Sequence, residues 1–244
     1  MLLYSKVDIG KVRKSNQDAA DAFMIDSNTA FAIVCDGMGG ANAGDIASKK
    51  AIETISEYVK SSYSPNMDTE KAMRILKNAV FSANMEVFKL SHTVAELNGM
   101  GTTVVAAIVS NNRAVICHIG DSRAYLVNDA ITQITTDHSV VQSLIESGKL
   151  SLSEAKDFPE KNVITRALGV EENVFSDYNV VPLKPDDYLL LCSDGLTNYV
   201  ENDLILDIFK NNSADTVADK LISAAMSNGG GDNISVVIVS QERG

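Results

Sequence analysis

Four aspartates stand where apolar runs meet glycine or break into polar sequence. AFAIVC leads to Asp36-Gly37, AVICHIG to Asp121, and YLLLCS to Asp194-Gly195, while Asp232 follows Gly229-Gly230-Gly231 and precedes ISVVIV. Each site alone also fits an ordinary turn, because Asp-Gly is a favoured hairpin dipeptide and Gly-Gly-Gly-Asp-Asn reads as a loop. Their joint recurrence points further, since antiparallel strands can bring such ends to one edge. Two carboxylates about 4 Å apart repel by roughly 4 kcal/mol at an effective dielectric near 20, so a cluster of them calls for cations. Oxygen donors favour Mg²⁺ or Mn²⁺ over zinc, and no Cys/His spacing offers a zinc site.

Other chemistry-bearing residues are weighed against this cluster. His92, His118 and His138 are scattered; His118 falls inside an apolar run and reads as a packed core residue, whereas His138, in Thr135-Thr136-Asp137-His138-Ser139, leads into irregular sequence. The glycine-rich stretch Gly37–Gly44 invites a nucleotide-binding reading and fails it: Gly39 and Gly44 have P-loop separation, but Asp45 occupies the place of the phosphate-binding lysine. These glycines instead let backbone approach a metal, and Asp45 favours the N-terminus of the next helix. Arg13, in Arg13-Lys14-Ser15-Asn16-Gln17-Asp18, carries a guanidinium suited to gripping a phosphate through paired hydrogen bonds, although the bare motif equally fits a solvated loop.

The elements that must position these groups are legible as periodicity. Ala30–Cys35, Thr103–Val109, Ala114–Ile119, Ala124–Val127, Tyr188–Cys192 and Ile234–Val239 are short, β-branched and bounded by Gly, Asp or Asn, which predicts strands. Thr103–Val109 and Ala114–Ile119 form a hairpin across Ser110–Arg113. Helical periodicity covers Asp45–Tyr63, Thr69–Leu90, Asp203–Phe209 and Ala214–Met226. Between Ser139 and Lys161 lie a short helix, Val140–Ser147, and a capping-box signature, Ser151-Leu152-Ser153-Glu154, closed by Pro159; together they read as an appended surface element. Helix pairs set between strand runs predict an α+β fold of antiparallel sheets packed on each other and covered by helices.

Composition narrows the classes. The 244 residues suit one large domain, and 45% hydrophobic with 22% charged residues is ordinary globular usage without low-complexity tracts. No apolar run approaches the roughly 18 residues that cross a bilayer, and the start lacks a signal-peptide core, so no membrane association and a cytoplasmic location are expected. Three cysteines within apolar runs read as buried thiols in a reducing compartment. The formal net charge of −11 argues against nucleic acid as a partner, because that binding depends on Lys/Arg meeting phosphates.

In order along the chain, Arg13–Asp18, VCDGMGG, GTTVVAA (Gly101–Ala107), HIGDSRAYL, TTDHS, NVITRALG (Asn162–Gly169), LLLCSDGL and GGGDNISVV closely resemble the motif set of the PPM (type 2C) metal-dependent serine/threonine protein phosphatases, especially the compact bacterial members. The resemblance spans nearly the whole chain. It implies a single catalytic domain over 1–244 built as a four-layer αββα sandwich, with residues 139–161 as the flap beside the active site. By position, Asp36 would bridge two divalent cations, Mn²⁺ or Mg²⁺, Gly37 would offer its carbonyl, and Asp194 and Asp232 would complete the second cation's shell. Asp18 would act through a water, and Asp121 with Asp194 would hold a third, weaker cation. The implied chemistry is in-line attack on phosphorus by a water activated between cations, with Arg13 helping to neutralise the phosphoryl oxygens and no phosphoenzyme. Implied partners are phosphorylated Ser/Thr proteins and a cognate Ser/Thr kinase, and the chain is expected to be a monomer. One departure stands out: bacterial relatives usually carry His, a proposed proton donor to the leaving alcohol, where this chain has Ala41, so the resemblance leaves the general-acid step unassigned while the metal ligands are kept. A catalytically silent phosphoprotein-binding relative is the competing class, opposed by retention of Asp36, Asp194 and Asp232. A metal-dependent nuclease is opposed by the acidic balance and the motif order.

Overall fold

The computed structural model describes residues 1–40, 43–155 and 158–241. Its strands form two antiparallel sheets. The first contains β1 (Leu2–Asp8), β7 (Arg123–Val127), β8 (Ile131–Gln133), β10 (Tyr188–Cys192) and β11 (Ile234–Ser240), in the order β1-β11-β10-β7-β8. The second contains β2 (Asp18–Asp26), β3 (Thr29–Met38), β5 (Val104–Ser110), β6 (Arg113–Ile119) and β9 (Asp177–Pro182), in the order β2-β3-β5-β6-β9, with the short β4 (Gly101–Thr102) pairing the far end of β3. The long helices are α1 (Ala43–Ser62), α2 (Thr69–Thr93), α6 (Asn202–Asn211) and α7 (Ala214–Ser227); α3 (Val140–Glu146), α4 (Leu152–Ala155) and α5 (Asp194–Thr197) are short.

The side-chain period of two explains why β3 reads as an uninterrupted apolar run. Phe31, Ile33 and Cys35 pack under Ala47, Ile55, Leu76 and Ala83 of α1 and α2. The alternate residues Ala30, Ala32 and Val34 meet Leu189, Leu191, Val237 and Val239 across the sheet interface. Beyond the first sheet, Leu190, Val236 and Ile238 pack on Phe209, Leu221 and Ile222 of α6 and α7. Three successive apolar interfaces therefore give the expected four layers, helices outermost.

Local chemistry matches these elements. Asp68 caps α2 by accepting from the Lys71 amide, and Ser151 and Glu154 bond reciprocally at the start of α4. In the β5–β6 hairpin Ser110 pairs with Arg113, so the turn is only Asn111-Asn112, at φ 50° and 58°. Two successive left-handed residues match the right-handed strand twist, and Asn tolerates that conformation. Cys35, Cys117 and Cys192 are free and buried. Among the described residues no helix is long and apolar enough to cross a membrane.

Strands β1, β2, β8 and β9, and the two-residue β4, escape the periodicity reading; the first four are the edge strands of the two sheets. β2, DAADAFMID, carries polar residues on an edge strand whose side chains are mostly half-buried. β9 pairs only with β6, at the other edge of the same sheet. The apolar run before Asp36 also does not end there: β3 continues through Asp36 and Gly37 to Met38, because β4 supplies a partner for this last stretch.

Candidate active site

Asp36 is held by its backbone. Its N–H donates to Thr103 Oγ1 at 2.9 Å, and its carbonyl accepts from the Thr103 amide at 2.8 Å and from Thr102 Oγ1 at 2.9 Å. The adjacent Gly37 must be glycine: a Cβ there would lie 2.0 Å from the Gly44 carbonyl oxygen, so the start of α1 sits directly on this backbone. Asp18 is the cross-strand partner of Asp36 in the β2–β3 register, is buried, and accepts from Ser193 Oγ at 2.7 Å. Residues separated along the chain thus become neighbours through strand pairing alone.

Asp121 lies on the turn leaving β6. Ser122 Oγ is 2.7 Å from Thr103 Oγ1, the same hydroxyl that receives the Asp36 amide, so one buried hydroxyl pair ties the two aspartate-bearing segments together. Asp194 opens α5 just after β10, with Ser193 as the N-cap residue. A Cβ on Gly195 would fall 1.8 Å from the Asn233 carbonyl oxygen, so this glycine brings α5 against Asp232-Asn233. Asn233 anchors the N-terminal loop, donating from Nδ2 to the carbonyls of Ile9 and Ser15 and accepting the Gln17 amide on Oδ1. That loop delivers Arg13, whose guanidinium pairs with Asp232 Oδ2 at 2.8 Å.

One pocket collects the groups singled out by sequence: Arg13, Asp36, Gly37, Asp121, Asp194 and Asp232 line it, with Asp18 behind on β2. Thr102, Thr103, Ser193 and Asn233 were not singled out, although all four lie within motifs already noted. Their signal is a short hydrogen-bonding side chain beside an apolar strand. Ala41 lies outside the described residues.

The electrostatics are unfavourable without cations. Burial first, then the fields of Asp18, Asp194, Asp121 and Asp232, holds the Asp36 carboxyl well above the usual carboxylate range. Burial pushes Asp18 and Asp121 up to about 7 each, and Asp194 is raised by burial and then by Asp232. Asp194 Oδ1 is buried with no hydrogen-bond partner, while Oδ2 accepts from Asn198 Nδ2. An orphaned oxygen among other carboxylates could serve as a cation ligand, and the all-oxygen donor set fits a hard divalent cation.

A pH dependence follows for metal-stripped protein. Asp18 and Asp121 bind protons more tightly folded than unfolded, so their contribution to stability is fully present below the ordinary carboxylate pKa near 4 and is lost as pH rises through about 7. In chelator-treated protein the melting temperature is expected to fall from about pH 4 to about pH 7 and to level off above that, and Mn²⁺ should restore it at the alkaline end. Scanning calorimetry with and without chelator measures this. A melting temperature independent of pH in the stripped protein contradicts the buried-charge account.

A two-sheet sandwich whose edge gathers buried carboxylates and one arginine defines a hydrolase-type divalent-cation centre. The chain belongs to the protein phosphatase 2C family, whose model matches residues 11–227. It is 41% identical over 238 residues to the serine/threonine phosphatase stp of Listeria welshimeri serovar 6b, covering 97% of this chain and 94% of that protein. The serine/threonine phosphatase PstP/Ppp of Mycobacterium tuberculosis superposes with a TM-score of 0.90 at 33% identity, over 99% of each chain. The catalytic domain of PstP in complex with 2 manganese ions matches with a TM-score of 0.85 at 32% identity, over 97% of this chain and 96% of that one.

Proposed function

We propose that this chain is a protein phosphatase that hydrolyses phosphoserine and phosphothreonine in proteins, as the names of its relatives state for them. The carrying observation is the convergence of Asp36, Asp121, Asp194 and Asp232 with Arg13 in one pocket, where the buried Oδ1 of Asp194 has no hydrogen-bond partner. Asp36 would bridge two cations, Mn²⁺ or Mg²⁺, with the Gly37 carbonyl, Asp194 and Asp232 as further ligands; Asp121 and Asp194 would hold a third. The two manganese ions of PstP support this number for the central pair. When bound, the cations supply charge neutralisation at phosphoryl oxygens and lower the pKa of water.

The protein's own groups do the rest. Thr102 and Thr103 fix the Asp36 peptide, so the carboxylate's direction is set before substrate arrives. Asp18, held by Ser193, stands one strand behind to accept a proton or a water's hydrogen bond. Arg13 is half-exposed on a loop, and its fork suits two phosphoryl oxygens once Asp232 turns to a cation. Residues 139–161 are assigned as a flap of the single domain 1–244. Asn162 and Ile164, just beyond that segment, line the pocket, which supports a role in admitting substrate. Three buried free thiols support a cytoplasmic setting, where an opposing Ser/Thr kinase would supply the phosphoproteins.

Phosphothreonine and phosphoserine peptides incubated with chelated protein, then with added Mn²⁺ or Mg²⁺, test the reading. Phosphate release only with cation is expected. Metal-replete protein that binds these peptides without releasing phosphate would establish the silent, regulatory alternative.

A further inference from the structure

His118, His138 and Asp177 present ligand atoms within 4.8 Å of one another, which at first suggests a second metal site. Hydrogen bonding assigns them otherwise. The Gly120 amide donates to His138 Nδ1 at 3.1 Å, so Nδ1 carries no proton. The proton of the neutral ring is therefore on Nε2, 3.1 Å from Asp177 Oδ2, and that atom has no lone pair to offer a cation. The 3.1 Å approach of Arg166 Nη1 to Nε2 is then a contact between two donors sharing Asp177, whose Oδ1 accepts from the same Nη1 at 3.1 Å.

His138 holds Gly120 from both sides. Its side chain accepts the Gly120 N–H, and its own backbone N–H donates to the Gly120 carbonyl at 2.9 Å. Gly120 is left-handed, at φ 99°, and a Cβ there would meet Thr103 Cγ2 at 2.6 Å, so this backbone has one tightly bounded conformation. The next residue is Asp121. His138 is 7% exposed and stacks at 4.6 Å on His118, which is itself held by the Thr136 carbonyl at 2.8 Å. Asp177 anchors the far side from β9, paired across from His118.

We propose that His138 and Asp177 are positioning residues for Asp121: Asp177 selects the Nε2–H tautomer, and the Nδ1 lone pair thereby exposed holds the Gly120 amide and aims the following carboxylate into the pocket. The link resembles a carboxylate orienting an imidazole, with a backbone amide as the group positioned. It rests on the assignment of Asp121 to an accessory cation.

Paired amide substitutions separate this role from general packing. His138→Asn places Oδ1 near the position of Nδ1 and keeps an acceptor for Gly120, whereas His138→Gln places its amide nearer Nε2 and loses that acceptor. Mn²⁺ titration by calorimetry on chelated protein should show the weakest site retained within a few fold in His138→Asn and weakened about 10–100-fold in His138→Gln, the usual effect of removing a ligand's supporting partner. Asp177→Ala, at a half-exposed edge position that tolerates truncation, should weaken the same site about tenfold. In all of these kcat should follow site occupancy, with peptide KM little changed. Equal Mn²⁺ binding by the Asn and Gln variants, or wild-type binding by Asp177→Ala, overturns the positioning role while loss of the site in Asp121→Asn leaves the Asp121 assignment standing. Wild-type Mn²⁺ binding by Asp121→Asn overturns both.

Discussion

Asp36→Asn is expected to lower turnover of a phosphothreonine peptide by about 10²–10⁴-fold, because a carboxylate that bridges two cations, the role proposed for Asp36, underlies several kcal/mol of charge stabilisation and each 1.36 kcal/mol is tenfold. The substitution preserves volume and keeps the hydrogen bonds that Thr102 and Thr103 make to the Asp36 backbone. It also removes the most crowded buried charge of the cluster, so the metal-stripped variant should melt at a higher temperature than stripped wild type. Stabilising the empty fold while disabling the loaded one is the signature of a ligand carboxylate. A residue needed only for folding would move both in the same direction. Calorimetric Mn²⁺ titration and melting curves decide the matter, and wild-type cation affinity with wild-type turnover would remove Asp36 from the centre.

Arg13→Ala should lower kcat/KM for the same peptide by about 10–100-fold, since a hydrogen bond to a charged group contributes about 1.5–3 kcal/mol. The loss should appear in KM, and in kcat as well if the contact tightens in the transition state. The pairing of Arg13 with Asp232 adds a second, opposite expectation. Removing the guanidinium frees Asp232 of its competing partner, so cation affinity should hold or rise while substrate affinity falls. Arg13→Lys keeps the charge without the fork and should recover only part of the loss. If kcat/KM is unchanged in Arg13→Ala, the residue is a neutralising partner of Asp232 and not a phosphate ligand.

The elements most legible from sequence were those buried on two faces or carrying one clear amphipathic stripe. Ala30–Cys35 is apolar throughout because one face meets α1 and α2 and the other meets the second sheet. The 3.6-residue pattern of α1 and α2 follows from packing one side on that sheet. By contrast β2 was hidden by its aspartates, yet its pairing is what sets Asp18 opposite Asp36. Edge strands face fewer packing neighbours, so their side chains need not alternate cleanly.

The aspartates of the site, the arginine and the preference for hard cations were fixed by residue type, since carboxylates and a guanidinium have that chemistry wherever they lie. Tertiary structure alone decided who touches whom. Arg13 and Asp232 meet across 219 residues because Asn233 ties the N-terminal loop to the head of β11. His138 comes to lie between the Gly120 amide and Asp177 only because β9 brings Asp177 beside it. Local sequence specifies period, turn and charge; a contact across hundreds of residues depends on sheet register and on which backbone donors remain unpaired, and those are settled only when the layers close.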